Sequence, residues 1–130
     1  MTGRRRVLLW LPALGWAVLL FVLSSQPALP SPPGINDKMA HALSYGLLGV
    51  LCLVGLSAGR WSGVTWRRAA MAVVLAVLYG VTDEVHQAFV PGRSPDVADL
   101  AADALGATLA VGGMGASAIL FRGRSVAPRA

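Results

Sequence analysis

The chain has 130 residues, 55% of them hydrophobic and only 13% charged, with a mean hydropathy of +0.63. An ordinary soluble domain is about 25% charged, so half the charge of a water-facing surface is missing, which excludes disorder and points to lipid as the solvent. The net charge of +5 and pI near 10.7 would suit nucleic acid, but ten of the 11 bases are Arg in short clusters between apolar runs, a membrane pattern with no nucleic-acid partner.

A membrane span needs about 20 apolar residues, and four stretches qualify, at 7–24, 38–58, 69–90 and 96–121. The expected fold is all-α: a polytopic membrane protein of four transmembrane helices. The first stretch follows Arg4, Arg5 and Arg6, and Ser25-Gln26-Pro27 offers no small-x-small cleavage pattern, so 1–28 reads as an uncleaved signal anchor. Residues 29–125 hold the other three helices and 126–130 a cytoplasmic tail. In the second helix Cys52, the only cysteine, lies in an apolar run as a packing residue, which rules out an internal disulfide. Between the third and fourth helices runs the tight Pro91-Gly92-Arg93-Ser94-Pro95; Pro95 suits the first turn of the last helix, with Ser94 as its cap. Gly46, Gly49, Gly55 and Gly59 on the second helix, and Gly106, Ala110 and Gly113 on the fourth, allow close helix contact.

The bases set the orientation. With the N-terminus inside, nine bases fall on the cytoplasmic side, in the clusters at Arg4–6, Arg60, Arg67, Arg68, Arg122, Arg124 and Arg129, against Lys38 and Arg93 outside. The expectation is N-in and C-in, multi-pass, in the inner (cytoplasmic) membrane. Trp10, Trp61 and Trp66 then lie near the cytoplasmic border, and all six acids and both histidines fall in the extracytoplasmic half.

Those polar residues form stripes. Asp37, His41 and Tyr45 are spaced i, i+4, i+8; Tyr79, Asp83, His86 and Gln87 share a face of the third helix; Asp96, Asp99 and Asp103 are spaced i, i+3, i+7 on the fourth. Counted from the tight loop, Asp83 and Asp103 lie about 12 Å deep. If helices three and four are antiparallel neighbours, Asp83 comes near Asp103, and Gln87 near Asp99. Ionisable groups at that depth face the bundle interior and need partners, so two close carboxylates require a shared proton, a histidine, Lys38, Arg93 or a metal. Helix capping and the helix dipole explain Asp37 and Asp96 without function. They do not explain Asp83, Glu84 and His86 at a helix C-terminal end, nor the deep Asp103.

Together these residues predict an outward-facing polar pocket of Asp37, Lys38, His41, Tyr45, Asp83, Glu84, His86, Gln87, Arg93, Asp99 and Asp103. No HExxH or comparable spacing is present, so no metal and no cofactor are assigned, although two histidines with carboxylates could ligate zinc. No Ser–His–Asp order or glycine-framed nucleophile is present either, and catalytic residues stay unassigned.

The run Asp37-Lys38-x-x-His41-x-x-x-Tyr45, then Asp83-Glu84-x-His86-Gln87-x-Phe89-x-Pro91-Gly92-Arg93, then Asp99 and Leu105-Gly106, closely resembles the VanZ-like family over roughly residues 35–115. One departure is Asp103, where the family pattern usually has Asn. The resemblance implies a small envelope membrane protein similar to one that lowers susceptibility to the glycopeptide teicoplanin. The leading expectation is therefore a non-enzymatic protein that binds or shields a polar headgroup, with membrane lipid, a lipid-linked cell-wall precursor or a glycopeptide as partner. Arg93 and Lys38 would contact anionic groups, His41, Tyr45 and Gln87 would donate hydrogen bonds, and Asp83, Glu84 and Asp99 would orient them. An intramembrane enzyme on a lipid-linked substrate, with His86 or Glu84 as acid/base, stays open. So does a proton-coupled transporter using Asp83 and Asp103, which at this size would require a homo-oligomer.

Overall fold

The computed structural model describes residues 3–27 and 33–124, with side chains as far as 121; the tail expected at 126–130 lies outside the described residues. The elements are α1 (Gly3–Leu8), α2 (Leu11–Ser24), α3 (Asp37–Leu56), a short 3-10 turn (Trp61–Gly63), α4 (Trp66–Gln87) and α5 (Val97–Arg124), and no strand occurs among the described residues. Four segments are long and apolar enough to cross a membrane: Gly3–Ser24, Asp37–Leu56, Trp66–Gln87 and Val97–Phe121. The first is two helices rather than one. Pro12 sits in the first turn of α2, where its missing N–H is harmless, but it could not donate to a preceding turn, so the chain breaks at Leu9–Trp10.

Helix starts are set by side-chain caps. Asn36 accepts from the Met39 N–H and opens α3, and Thr65 accepts from the Arg68 N–H and opens α4. For α5 the expectation is corrected. The cap is Asp96, whose Oδ1 accepts the Ala98 N–H at 2.8 Å, and Ser94 and Pro95 lie before the helix. An aspartate two residues before the first free N–H reaches it directly, which Ser94 cannot. The turn ahead of it closes with an Arg93 N–H to Val90 carbonyl bond of 3.1 Å, and Gly92 takes φ +82°. Pro then Gly at the central positions is the type II turn combination.

Helices α3 and α5 share the largest interface, α4 lies against both, and α2 packs on α3 and α4. Small residues make the α3–α5 approach possible: a Cβ on Gly106 would stand 1.9 Å from the Ala42 carbonyl oxygen, and one on Gly49 2.8 Å from a Val111 methyl. Gly113, expected in the same seam, meets nothing within 4 Å; its register turns it away from α3. Trp10 fills the space beside Gly55. Leu48, Cys52, Leu53, Ala72, Ala76, Ala107 and Val111 form the buried apolar core, while Val74, Leu78, Val85, Leu105, Leu109 and Phe121 stay exposed. Large apolar side chains left outside a small-residue core fit a bundle solvated by lipid.

Candidate functional site

The N-terminal ends of α3 and α5 and the C-terminal end of α4 meet at one end of the bundle, and the acids gather there. Lys38, in the first turn of α3, donates to Asp96 Oδ2 at 2.6 Å and to Asp99 Oδ1, and stands 3.9 Å from Asp37 Oδ2. The ammonium beside it holds the Asp96 carboxyl below its ordinary value. One turn deeper, His41 Nδ1 lies 2.9 Å from Asp103 Oδ1, and His41 Nε2 lies 3.8 Å from Asp99 Oδ2. With Asp103 ionised, the carboxylate only accepts, so Nδ1 carries the hydrogen, and in the neutral ring Nε2 keeps its lone pair. The Tyr45 ring lies parallel to His41 at 6.1 Å and tilted against Tyr79 at 6.3 Å. Below it, down to Ser57 at the far end of the bundle, the buried side chains are apolar among the described residues.

Helix α4 contributes Asp83, Glu84 and Gln87, all buried. Carboxylates at a helix C-terminus oppose its dipole, and the neighbouring helix supplies the remedy: Glu84 Oε2 accepts the Asp96 N–H at 2.7 Å, at the positive start of α5. Gln87 donates to Asp83 Oδ2 at 3.2 Å. Gln87 and Asp83 are one turn apart on the same helix and bond locally. Gly80 leaves room beneath: a Cβ there would stand 2.8 Å from Asp103 Oδ2 and 3.4 Å from the Tyr45 ring. Asp83 and Asp103 thus both border Tyr45.

The stripe expected on α4 divides into two. Gly80, Asp83, Glu84 and Gln87 face α3 and α5, whereas Tyr79 and His86, seven residues apart and so nearly in line, face α2. The Tyr79 hydroxyl donates to the Ala17 carbonyl at 2.6 Å; His86 stacks on Phe21 at 4.3 Å, with Nε2 2.9 Å from Ser25 Oγ. Arg93 also departs from the expectation: its Nε donates to the Gln26 carbonyl at 3.0 Å, because the type II turn directs it to the end of α2. Of the eleven expected pocket residues, nine therefore form one cluster, and His86 and Arg93 fasten α2 instead. Ser25 and Gly80 were not foreseen; the Ser24-Ser25-Gln26 run at a helix end, and a glycine one turn before Asp83-Glu84, are the signals that mark them.

Among the described residues, four buried polar atoms in the cluster have no hydrogen-bond partner: the Tyr45 hydroxyl, itself a donor beside Asp83, and the carboxylate oxygens Asp83 Oδ1, Glu84 Oε1 and Asp103 Oδ2. Their residues are 2%, 6%, 8% and 1% exposed. Unmade hydrogen bonds at such depth are costly, and the three carboxylate oxygens are satisfied by hydrogens or positive charge.

The fold and site define a polytopic helical membrane protein with a buried, acid-rich polar cluster at one end. The chain matches the VanZ/LLP1 family over residues 8–120, most of its length, and belongs to that family. The match reaches back into the first span, whose α2 packs on α3 and α4. No curated protein and no solved structure matches the chain.

Proposed function

We propose that this VanZ/LLP1 protein acts in the bacterial cell envelope, with the polar cluster on the extracytoplasmic side of the inner membrane. There it binds a polar headgroup, of a lipid-linked cell-wall precursor or of a glycopeptide, and so changes susceptibility to teicoplanin. The supporting observation is the set of three buried carboxylate oxygens, Asp83 Oδ1, Glu84 Oε1 and Asp103 Oδ2, that have no partner among the described residues. It also alters the chemistry expected of the ligand. Lys38 is engaged by Asp96 and Asp99, and Arg93 lies outside the cluster with its Nε on a backbone carbonyl, so what the buried cluster leaves unused is carboxylate acceptors. The ligand group it suits is a hydrogen-bond donor, an ammonium or amide N–H.

The enzyme reading has one observation in its favour, Ser25 Oγ within reach of His86 Nε2. However, the single Ser25 proton has a nearer acceptor, the Phe21 carbonyl at 2.6 Å, which leaves Nε2 as a donor rather than a base. Headgroup binding is the better-supported reading.

Expression in a susceptible host tests the proposal. The wild-type chain should raise the inhibitory concentration of teicoplanin, and Asp83→Asn, at equal protein level, should return it to that of the empty vector. Thr82→Ala, exposed on the lipid side of α4, should keep the wild-type value. No effect of the wild type, or full effect of Asp83→Asn, overturns it.

A further inference from the structure

The geometry points to a divalent metal site of the zinc class at the outer ends of α3 and α5, with Asp37, His41 and Asp99 as ligands. One donor atom from each of these residues lies within 4.8 Å of the other two. Ligands of a tetrahedral ion at bond lengths of about 2.1 Å stand about 3.4 Å apart. His41 Nε2 and Asp99 Oδ2 are 3.8 Å apart, too far for a hydrogen bond and within about half an ångström of a shared ion.

The second sphere is already in place. A metal-binding histidine almost always donates its other ring N–H to a carboxylate or carbonyl, which fixes the tautomer and aims the lone pair. His41 is held in this way by Asp103 at 2.9 Å, and Nε2 is left on the side of Asp99. Independent evidence for a ligand comes from Glu84. Its Oε2 holds the Asp96 N–H, Asp99 and His41 are among its neighbours, and its Oε1, on a side chain that is nine-tenths buried, has no partner among the described residues. An acceptor so placed suits the hydrogen of a water bound to the ion.

Charge favours a divalent ion. Asp37, Asp96 and Asp99 surround one ammonium, that of Lys38, leaving two negative charges on the rim, with Asp103 beside His41 below them, an excess that a divalent ion reduces with His41 uncharged. An imidazole nitrogen in the set favours zinc-class ions over calcium or magnesium. The ligands come from two helices, 58 or more residues apart in sequence, which is why no local spacing motif shows them. The inference is independent of headgroup binding, since its readout is the ion alone.

The test uses the full chain, purified in detergent without a histidine tag and stripped with EDTA, then titrated with Zn2+ and with Co2+, whose visible spectrum reports tetrahedral coordination. One ion per chain is expected. His41→Gln and Asp99→Asn should weaken binding at least tenfold, whereas His86→Gln, which alters the other histidine, should bind as the wild type does. Lys38→Met, which removes the competing ammonium at a half-exposed position, should tighten binding; it decides the matter if His41→Gln does not fold. Absence of saturable binding by the wild type, undiminished binding by a folded His41→Gln, loss in His86→Gln, or no tightening in Lys38→Met overturns the site.

Discussion

Replacement of Gly106 by alanine is the sharpest test of the seam that holds the cluster together. The new Cβ would stand 1.9 Å from the Ala42 carbonyl oxygen and 2.6 Å from its Cα. Both obstacles are backbone, so no rotamer relieves them. Restoring ordinary contact at 3.4 Å means parting α3 and α5 by about 1.5 Å at this point. Asp103 lies one turn before Gly106, and His41 adjoins Ala42. The same movement carries their 2.9 Å contact beyond about 4 Å, where no hydrogen bond survives. Overpacking of this kind costs about 1–3 kcal/mol, and the lost bond adds about 1 kcal/mol. Gly112→Ala is the internal control, since a Cβ there meets nothing within 4 Å; it should hold stability or raise it by up to about 1 kcal/mol, because Ala is the better helix former. Reversible unfolding in detergent micelles, read by helix content, separates the two variants. If Gly106→Ala is as stable as Gly112→Ala, the close approach is not a determinant of the fold and the reasoning fails.

Three further outcomes follow from the same contacts. Asp103→Asn keeps an acceptor for His41 and installs the residue that the family pattern usually carries, so stability should hold; Asp103→Leu leaves the His41 N–H unpaired and should cost about 1–3 kcal/mol, and equal loss in both variants would contradict the assigned bond. Asp96→Asn keeps the helix cap but loses the charge opposite Lys38. Since the Asp96 carboxyl lies below its ordinary 3.8, the stabilisation is fully present above that pH and fades as pH falls through the lowered value; melting curves of wild type and variant should differ constantly from about pH 7 to 5 and converge below about 3.8, and convergence already at pH 5 would refute the pairing. Tyr79→Phe removes the 2.6 Å bond to Ala17 and should destabilise by about 0.6–1.7 kcal/mol, with faster proteolysis after α2; an unchanged variant would show that α2 is not fastened there.

Much of this was legible in the sequence because lipid leaves few choices. Apolar length gave the four spans, and the cost of buried charge required Asp83, Glu84, Asp99 and Asp103 to meet in the interior. The seam glycines Gly46, Gly49 and Gly106 were equally visible, since only small residues allow backbones to touch. What periodicity could not resolve was azimuth. Tyr79, Asp83, His86 and Gln87 occupy one broad face by spacing, yet α2 takes one side of it and α3 with α5 the other. The direction of Arg93 depended on the turn at Gly92, and the cap of α5 on a competition between Ser94 and Asp96 that side-chain reach decides. The grouping of Asp37, His41 and Asp99, the proposed ligands, depended on the pairing of α3 with α5, which no local motif encodes.

The electrostatics of the helix ends explain why so many acids can share one corner, and why they still want a cation. The starts of α3 and α5 bring about half a positive charge each, and the ends of α2 and α4 about half a negative charge each, so the backbone terms nearly cancel. Side chains must therefore balance one another. Six acids gather here, and Lys38 and, when protonated, His41 are the bases within the cluster; Arg93 has its Nε committed to the Gln26 carbonyl. The remaining negative charge lies in a region where each uncompensated ion costs several kcal/mol. Protons on the deepest carboxyls, a metal ion between Asp37, His41 and Asp99, and donors from a bound headgroup at Asp83 and Tyr45 are complementary means of relieving it. The proposed ligand, which brings positive charge or N–H groups, is favoured at this end of the bundle over an anionic one.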